Sequence, residues 1–311
     1  LYSILQTLSV ATMSNFIFVK TLVVLISCLG LVAYAEERVP SIVYTKFADS
    51  GPEIWRVNIH GRNNRKIGEG AEATWSPDGE TLAFVSEVDG NKDVYMMDAN
   101  GGRITRLTSD AAEEHSPTWS PDGSMIAFNS DRSGSDQIWR SNTESGSWGY
   151  NLTKITQDTH HNRVNNFIAW SPDGRWIAFE ADRDRDDPEI YLANSVDGTN
   201  QQRLTYTRAL DEVPSWSPDS RQILFSSDMH DAPQSGTYDI YIMNVDGSDQ
   251  RRLTVTPGMA SYPSMSVDGE KVVYTYQGKE DSSSNIWIMN SDGSEQKILV
   301  RDGTIPRFSP F

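Results

Sequence analysis

The side chains that could carry chemistry in this chain are few, and their spacing limits what they can do. Its five histidines, His60, His115, His160, His161 and His230, include no His-x-x-x-His or His-Glu-x-x-His pair, the spacing that sets two ring nitrogens on one helix face for a metal. His160 and His161 are adjacent in an extended segment, so their rings point to opposite faces. Metal-dependent chemistry would therefore have to assemble its ligands from His115, His160 and His161 across the fold. No Gly-x-Ser-x-Gly elbow is present, which removes the hydrolase that carries its nucleophile on such a turn. The run Asp182-Arg183-Asp184-Arg185-Asp186-Asp187 is similar to part of a calcium loop, yet it lacks the Gly at the sixth position and the Glu at the twelfth. Its arginines repel a cation, and it reads as a solvated charged loop. No residue is assigned a catalytic or metal-binding role.

Charge narrows the partners. With 43 acidic against 27 basic residues the formal net charge is −16, a field that serves solubility and repels phosphate backbones. Nucleic acid and anionic lipid surfaces are poor partners for it, while cations, basic protein patches and basic peptides suit it. The single cysteine, Cys28, rules out an internal disulfide framework. Stability has to come from packing.

The first residues read as an address. Met13 opens a short segment with one positive charge, Lys20, followed by the apolar run 21–35 and the small-x-small ending Ala33-Tyr34-Ala35. That order matches a secretory signal, with Met13 as the true start, residues 1–35 as the signal region and cleavage after Ala35. A second reading uses Leu25-Ile26-Ser27-Cys28 as a lipidation site that anchors the protein through Cys28, although the residues after it stay apolar up to Ala35.

The elements that must position any site follow from a repeat. Trp-Ser-Pro-Asp-Gly begins at Trp75, Trp119 and Trp170, returns as Trp-Ser-Pro-Asp-Ser at Trp216 and Met-Ser-Val-Asp-Gly at Met265, and ends as Phe-Ser-Pro at Phe308. The intervals of 44, 51, 46, 49 and 43 residues each suit one four-stranded propeller blade. Within each repeat, Pro presets φ and Gly accepts a left-handed conformation in a tight turn. An apolar strand follows at 81–85, 125–129, 176–180, 222–226 and 271–275. Next come an aliphatic-aromatic strand, as in Ile190-Tyr191, and a strand of the Arg-Leu-Thr type at 106–108, 203–205 and 252–254. Five complete blades start at 71, 115, 166, 212 and 261. Residues 41–68 hold three strands that lack a first one, and 305–310 is an isolated first strand. Joining them completes a sixth blade and removes two exposed sheet edges. The fold class is thus all-β, a six-bladed β-propeller over residues 36–311 whose terminal strands share one blade, and a monomer is expected.

A Trp or Asp repeated once per blade, as at Trp75 and Asp78, is a packing or turn residue. Residues that differ between blades on the innermost strands are the better candidates for binding: Glu72, His115, Asn166, Glu212, Tyr262 and Arg307, placed near one mouth of the channel. The alternative is that they are solvated loop residues without a ligand. Trp148 and Tyr150 sit in an enlarged outer turn, 145–150, and serve either to anchor a partner or to pack on a neighbouring loop.

The repeats resemble those of the TolB-type propellers, relatives of WD-repeat proteins with a Trp-Ser-Pro-Asp-Gly turn in each blade, over residues 41–311 and six motif copies. The resemblance implies a non-enzymatic, periplasmic scaffold of the bacterial cell envelope. Its partner would be an envelope protein or peptide such as a peptidoglycan-associated lipoprotein, with no cofactor. Full-length members carry an α/β domain ahead of the propeller, where this sequence has the signal region. The competing expectation is a metal-dependent carbohydrate-active enzyme of the uronate-cleaving propeller type that uses the histidines, and a cation in the acidic channel stays open.

Overall fold

The computed structural model describes residues 39–88, 90–144, 152–156, 165–183, 187–230 and 236–311, with residues 165 and 166 in backbone only. The signal region, Trp148, Tyr150, His160, His161 and residues 184–186 of the acidic loop lie outside them.

The described chain forms six antiparallel four-stranded sheets. Blade 1 is built from Ala71–Trp75, Thr81–Ser86, Asp93–Asp98 and Thr105–Arg106, counted from the axis outward. Blade 2 follows with Glu114–Trp119, Met125–Ser130, Gln137–Asn142 and Thr153–Lys154. Blade 3 has Asn165–Trp170, Trp176–Ala181, Glu189–Asn194 and Gln202–Arg203, and blade 4 has Asp211–Trp216, Gln222–Ser227, Asp239–Asn244 and Arg251–Arg252. Blade 5 contains Met259–Met265, Lys271–Gln277, Asn285–Asn290 and Lys297–Val300. Blade 6 is shared, as expected: Thr304–Phe308 is its innermost strand and Ser41–Ala48, Gly51–Asn58 and Arg65–Glu69 supply the rest.

Both faces of every blade are covered by a neighbour, which is why the second strands read as continuous apolar runs instead of alternating. Six apolar clusters result, one at each blade boundary. Val43 and Ile54 meet Leu82 and Phe84 between blades 6 and 1, and Val273 and Ile286 meet Ile42 and Tyr44 between blades 5 and 6. The four other boundaries repeat this arrangement. The repeated tryptophans join these clusters, and the indole N–H of Trp216 donates to the Ala169 carbonyl of the preceding blade at 2.9 Å.

Closure is held by more than the strand. Ser309 and Ser41 exchange hydrogen bonds at 2.9 and 2.7 Å, and the Phe311 ring lies so close over Gly79 that a Cβ there would sit 2.0 Å from it. The turns work as their composition implies. Asp78 Oδ1 accepts from Ser76 Oγ at 2.6 Å and from the Glu80 amide at 3.0 Å, while Gly79 takes φ +68°.

Candidate functional site

Each innermost strand carries a bulge three residues before its Trp, Met or Phe. The residues there, Glu72, Ser116, Phe167, Val213, Tyr262 and Ile305, all have φ between 40° and 56°, and the register with the second strand slips at that point. Such a conformation costs a non-glycine residue on the order of 1 kcal/mol, most for β-branched Val213 and Ile305. Six occurrences make it a property of the architecture.

The bulge is what turns side chains toward the axis. A cavity of about 290 Å³ is lined from all six blades, by Glu72, Thr74, Ser116, Phe167, Ser215, Ser264 and Arg307 among others, with the rings of Trp75, Trp170 and Trp216 in its wall. Phe167 of blade 3 and Tyr262 of blade 5 reach past the intervening blade 4 and meet edge to face, their centroids 5.4 Å apart. Glu72 Oε2 accepts the Ser116 amide at 2.6 Å. Burial holds the Arg307 guanidinium below its ordinary pKa, and it pushes the Tyr262 hydroxyl up to about 12 with help from Glu72, Glu180 and Glu212.

One residue further from the turns lie His115 and Glu212. His115 Nε2 is 3.6 Å from Asp136, and that bond, with Glu72 nearby, raises its pKa. Burial, then Asp228 and Asp211, push Glu212 up to about 7, and burial with Glu212 beside it pushes Glu180 up to about 8. Asp211 and Glu189 are raised to about 6 and about 7 by burial first.

The six sequence-chosen residues therefore occupy three register levels instead of one ring. Glu72 and Tyr262 sit at the bulge, His115, Asn166 and Glu212 one residue before it, and Arg307 two residues after it, in the cavity wall. They stand at different distances from the Trp, Met or Phe of their strands, four residues for His115, Asn166 and Glu212, three for Glu72 and Tyr262 and one for Arg307. For Asn166 the backbone alone is described, paired with Glu180. Phe167, Glu180 and Ser215 escaped the sequence reading; counting back from each Trp would have found Phe167 and Ser215 as equivalents of Glu72 and Arg307. Among the described residues no three His, Cys, Asp or Glu side chains are grouped to hold a metal ion.

Known proteins share this architecture. The TolB structure from Acinetobacter baumannii superposes with a TM-score of 0.72 at 22% identity, covering 86% of this chain and 66% of that one. A putative TolB from Agrobacterium tumefaciens gives 0.66 at 24% identity, covering 85% and 90%. At such identities they show the fold alone. The Tol-Pal system protein TolB of Anaeromyxobacter dehalogenans (strain 2CP-1 / ATCC BAA-258) is 33% identical over 79 residues, 24% of this chain and 18% of that protein's length. Residues 36–166 and 151–310 both match PD40, the TolB beta propeller domain, and the chain belongs to that family.

Proposed function

We propose that this propeller is a non-enzymatic binding scaffold of the bacterial cell envelope, working in the periplasm, that holds a protein or peptide at the acidic mouth of its axis. The observation that carries this reading is where the repeat breaks. Turns, interblade cores and bulges recur from blade to blade, whereas the bulge residues Glu72, Ser116, Phe167, Val213, Tyr262 and Ile305 are six different side chains. A ligand on the axis meets an asymmetric surface, which is what specificity requires of a symmetric frame. Glu212, partly exposed beside Asp228, favours a basic patch on the partner. The relatives' name, Tol-Pal system protein, supports an envelope partner such as a peptidoglycan-associated lipoprotein.

Crosslinking of the propeller in envelope extracts tests the reading. The expected result is capture of an envelope protein, weakened by His115→Ala and Glu212→Gln and kept by Lys297→Ala on the outer strand of blade 5. Crosslinks unchanged by the first two substitutions exclude this face. Stoichiometric transition metal in the purified protein, lost on changing His115, His160 and His161 to Ala, would overturn the scaffold in favour of the metal-dependent enzyme.

A further inference from the structure

The axial cavity holds a permanent positive charge, Arg307, that the Glu72 carboxylate in the same wall stabilises from a distance without pairing with it. Among the described residues the Arg307 guanidinium makes one hydrogen bond, from Nη1 to the Pro306 carbonyl beside it at 3.0 Å, and no carboxylate lies within ion-pair distance. Glu72, in the same wall, has its Oε2 committed to the Ser116 amide at 2.6 Å. A guanidinium carries five N–H donors in a planar fork that fits the edge of a carboxylate. Ser215 stands in the same wall, and its Oγ, just beneath the surface, has no hydrogen-bond partner among the described residues. The indoles of Trp75, Trp170 and Trp216 complete the wall with apolar surface.

We infer that the axial cavity is a carboxylate-binding site, in which Arg307 pairs through its fork with a carboxyl group on a short carbon stem and Ser215 Oγ donates a further hydrogen bond. The volume of about 290 Å³ admits such a group and excludes a folded domain. The Glu72 carboxylate penalises a dianion, so the site selects a single negative charge. The carboxylate belongs either to a peptide, as an acidic side chain or chain end, or to a small free acid. The inference goes beyond the binding role proposed for the acidic mouth and stands on the cavity alone.

The wall tryptophans supply the signal. Full-length protein is titrated at constant ionic strength with butyrate and with its uncharged isostere butyramide, following tryptophan fluorescence. Butyrate should give a saturable change that butyramide does not, weakened at least tenfold in Arg307→Met and less in Arg307→Lys. A short peptide with a free C-terminus, its C-terminal amide, and an amidated peptide with an internal Glu then separate the sources: tighter binding than butyrate by any of them assigns a peptide, and none tighter assigns the free acid. Equal responses to butyrate and butyramide overturn the site, as does Arg307→Met with wild-type melting temperature and wild-type butyrate affinity. Should Arg307→Met not fold, Ser215→Ala decides, with a several-fold loss expected and unchanged affinity overturning it. Envelope crosslinks that persist in Arg307→Met leave the acidic mouth standing whatever becomes of the cavity.

Discussion

Glu180 Oε2 accepts the amide hydrogen of Val213 at 3.2 Å, across the boundary between blades 3 and 4. Val213 is the left-handed bulge residue of its blade, with φ 53°, so the bond secures a backbone amide that the bulge has taken out of the ladder. The same relation recurs where Thr45 Oγ1 accepts from Glu72 at 3.2 Å and Thr275 Oγ1 from Ile305 at 3.0 Å. In blade 1 the equivalent residue is Val85, which has no acceptor, and Glu72 reaches across to take the Ser116 amide at 2.6 Å. A carboxylate that looked like a ligand-binding group is thus also a structural clasp between blades.

That clasp sets a pH dependence. Burial raises Glu180 to about 8 from its ordinary 4.5, so its contribution to stability is full below about pH 4.5 and is lost as pH rises toward 8. The side chain is 6% exposed, and the interval from 4.5 to about 8 amounts to on the order of 5 kcal/mol. Glu180→Gln keeps the acceptor and removes the ionisation. It should melt higher than wild type at pH 8.5 and close to it at pH 5, with a residual slope from Glu212 and Glu189, both raised to about 7. Calorimetric melts at the two pH values check this; a variant with the wild-type slope rejects it.

Thr275→Val tests the clasp where no charge is involved. Removing Oγ1 leaves the Ile305 amide buried and unpaired, a loss of about 1–3 kcal/mol, whereas Thr275→Ser keeps the acceptor and should cost less. Urea unfolding of the two variants decides, and equal midpoints would show that the hydroxyl is idle.

The blade plan was legible because its signals are local. Pro, Asp and Gly in a tight turn and an apolar run after it need only a few neighbouring residues, so strands expected at 81–85 and 222–226 appear as Thr81–Ser86 and Gln222–Ser227. The shared blade followed from counting strands. The axial site was less legible because alternation fails across a bulge that no Gly announces: Phe167 and Val213 take positive φ under tertiary constraint. One signal went unread. The residue before each aliphatic-aromatic pair is acid or amide, as in Asp93, Gln137, Glu189 and Asp239, and at the three acids its meaning lies in the Arg of the outer strand beside it.

Asp239 shows what that pairing is worth. Its carboxylate is buried, accepts from Arg252, from Thr254 Oγ1 at 2.7 Å and from the Thr256 amide at 3.0 Å, and thereby ties the outer strand to the third. Asp239→Ala strands all of these donors, and a loss of about 3 kcal/mol is expected, with Asp239→Asn intermediate. A denaturation midpoint within 0.3 M urea of wild type, about 0.6 kcal/mol at a typical slope, would show that the network does not stabilise the blade.

Closure of the ring makes the severest demand. Without residues 304–311, blade 6 loses its innermost strand, the Ser41 amide loses Ser309, the Trp75 indole loses the Arg307 carbonyl at 3.2 Å, and the apolar cluster of Ile42, Tyr44 and Val273 loses Phe308. The inner edge of Ser41–Ala48 would then be left unpaired, open to another chain. A chain ending at Gly303 should lose its cooperative melt and associate at micromolar concentration, because both the interblade core and the edge protection go together. Thermal melts with sedimentation of the truncated protein measure both effects, and a stable monomer melting with wild type would mean that the other five blades hold the ring without the clasp of the sixth.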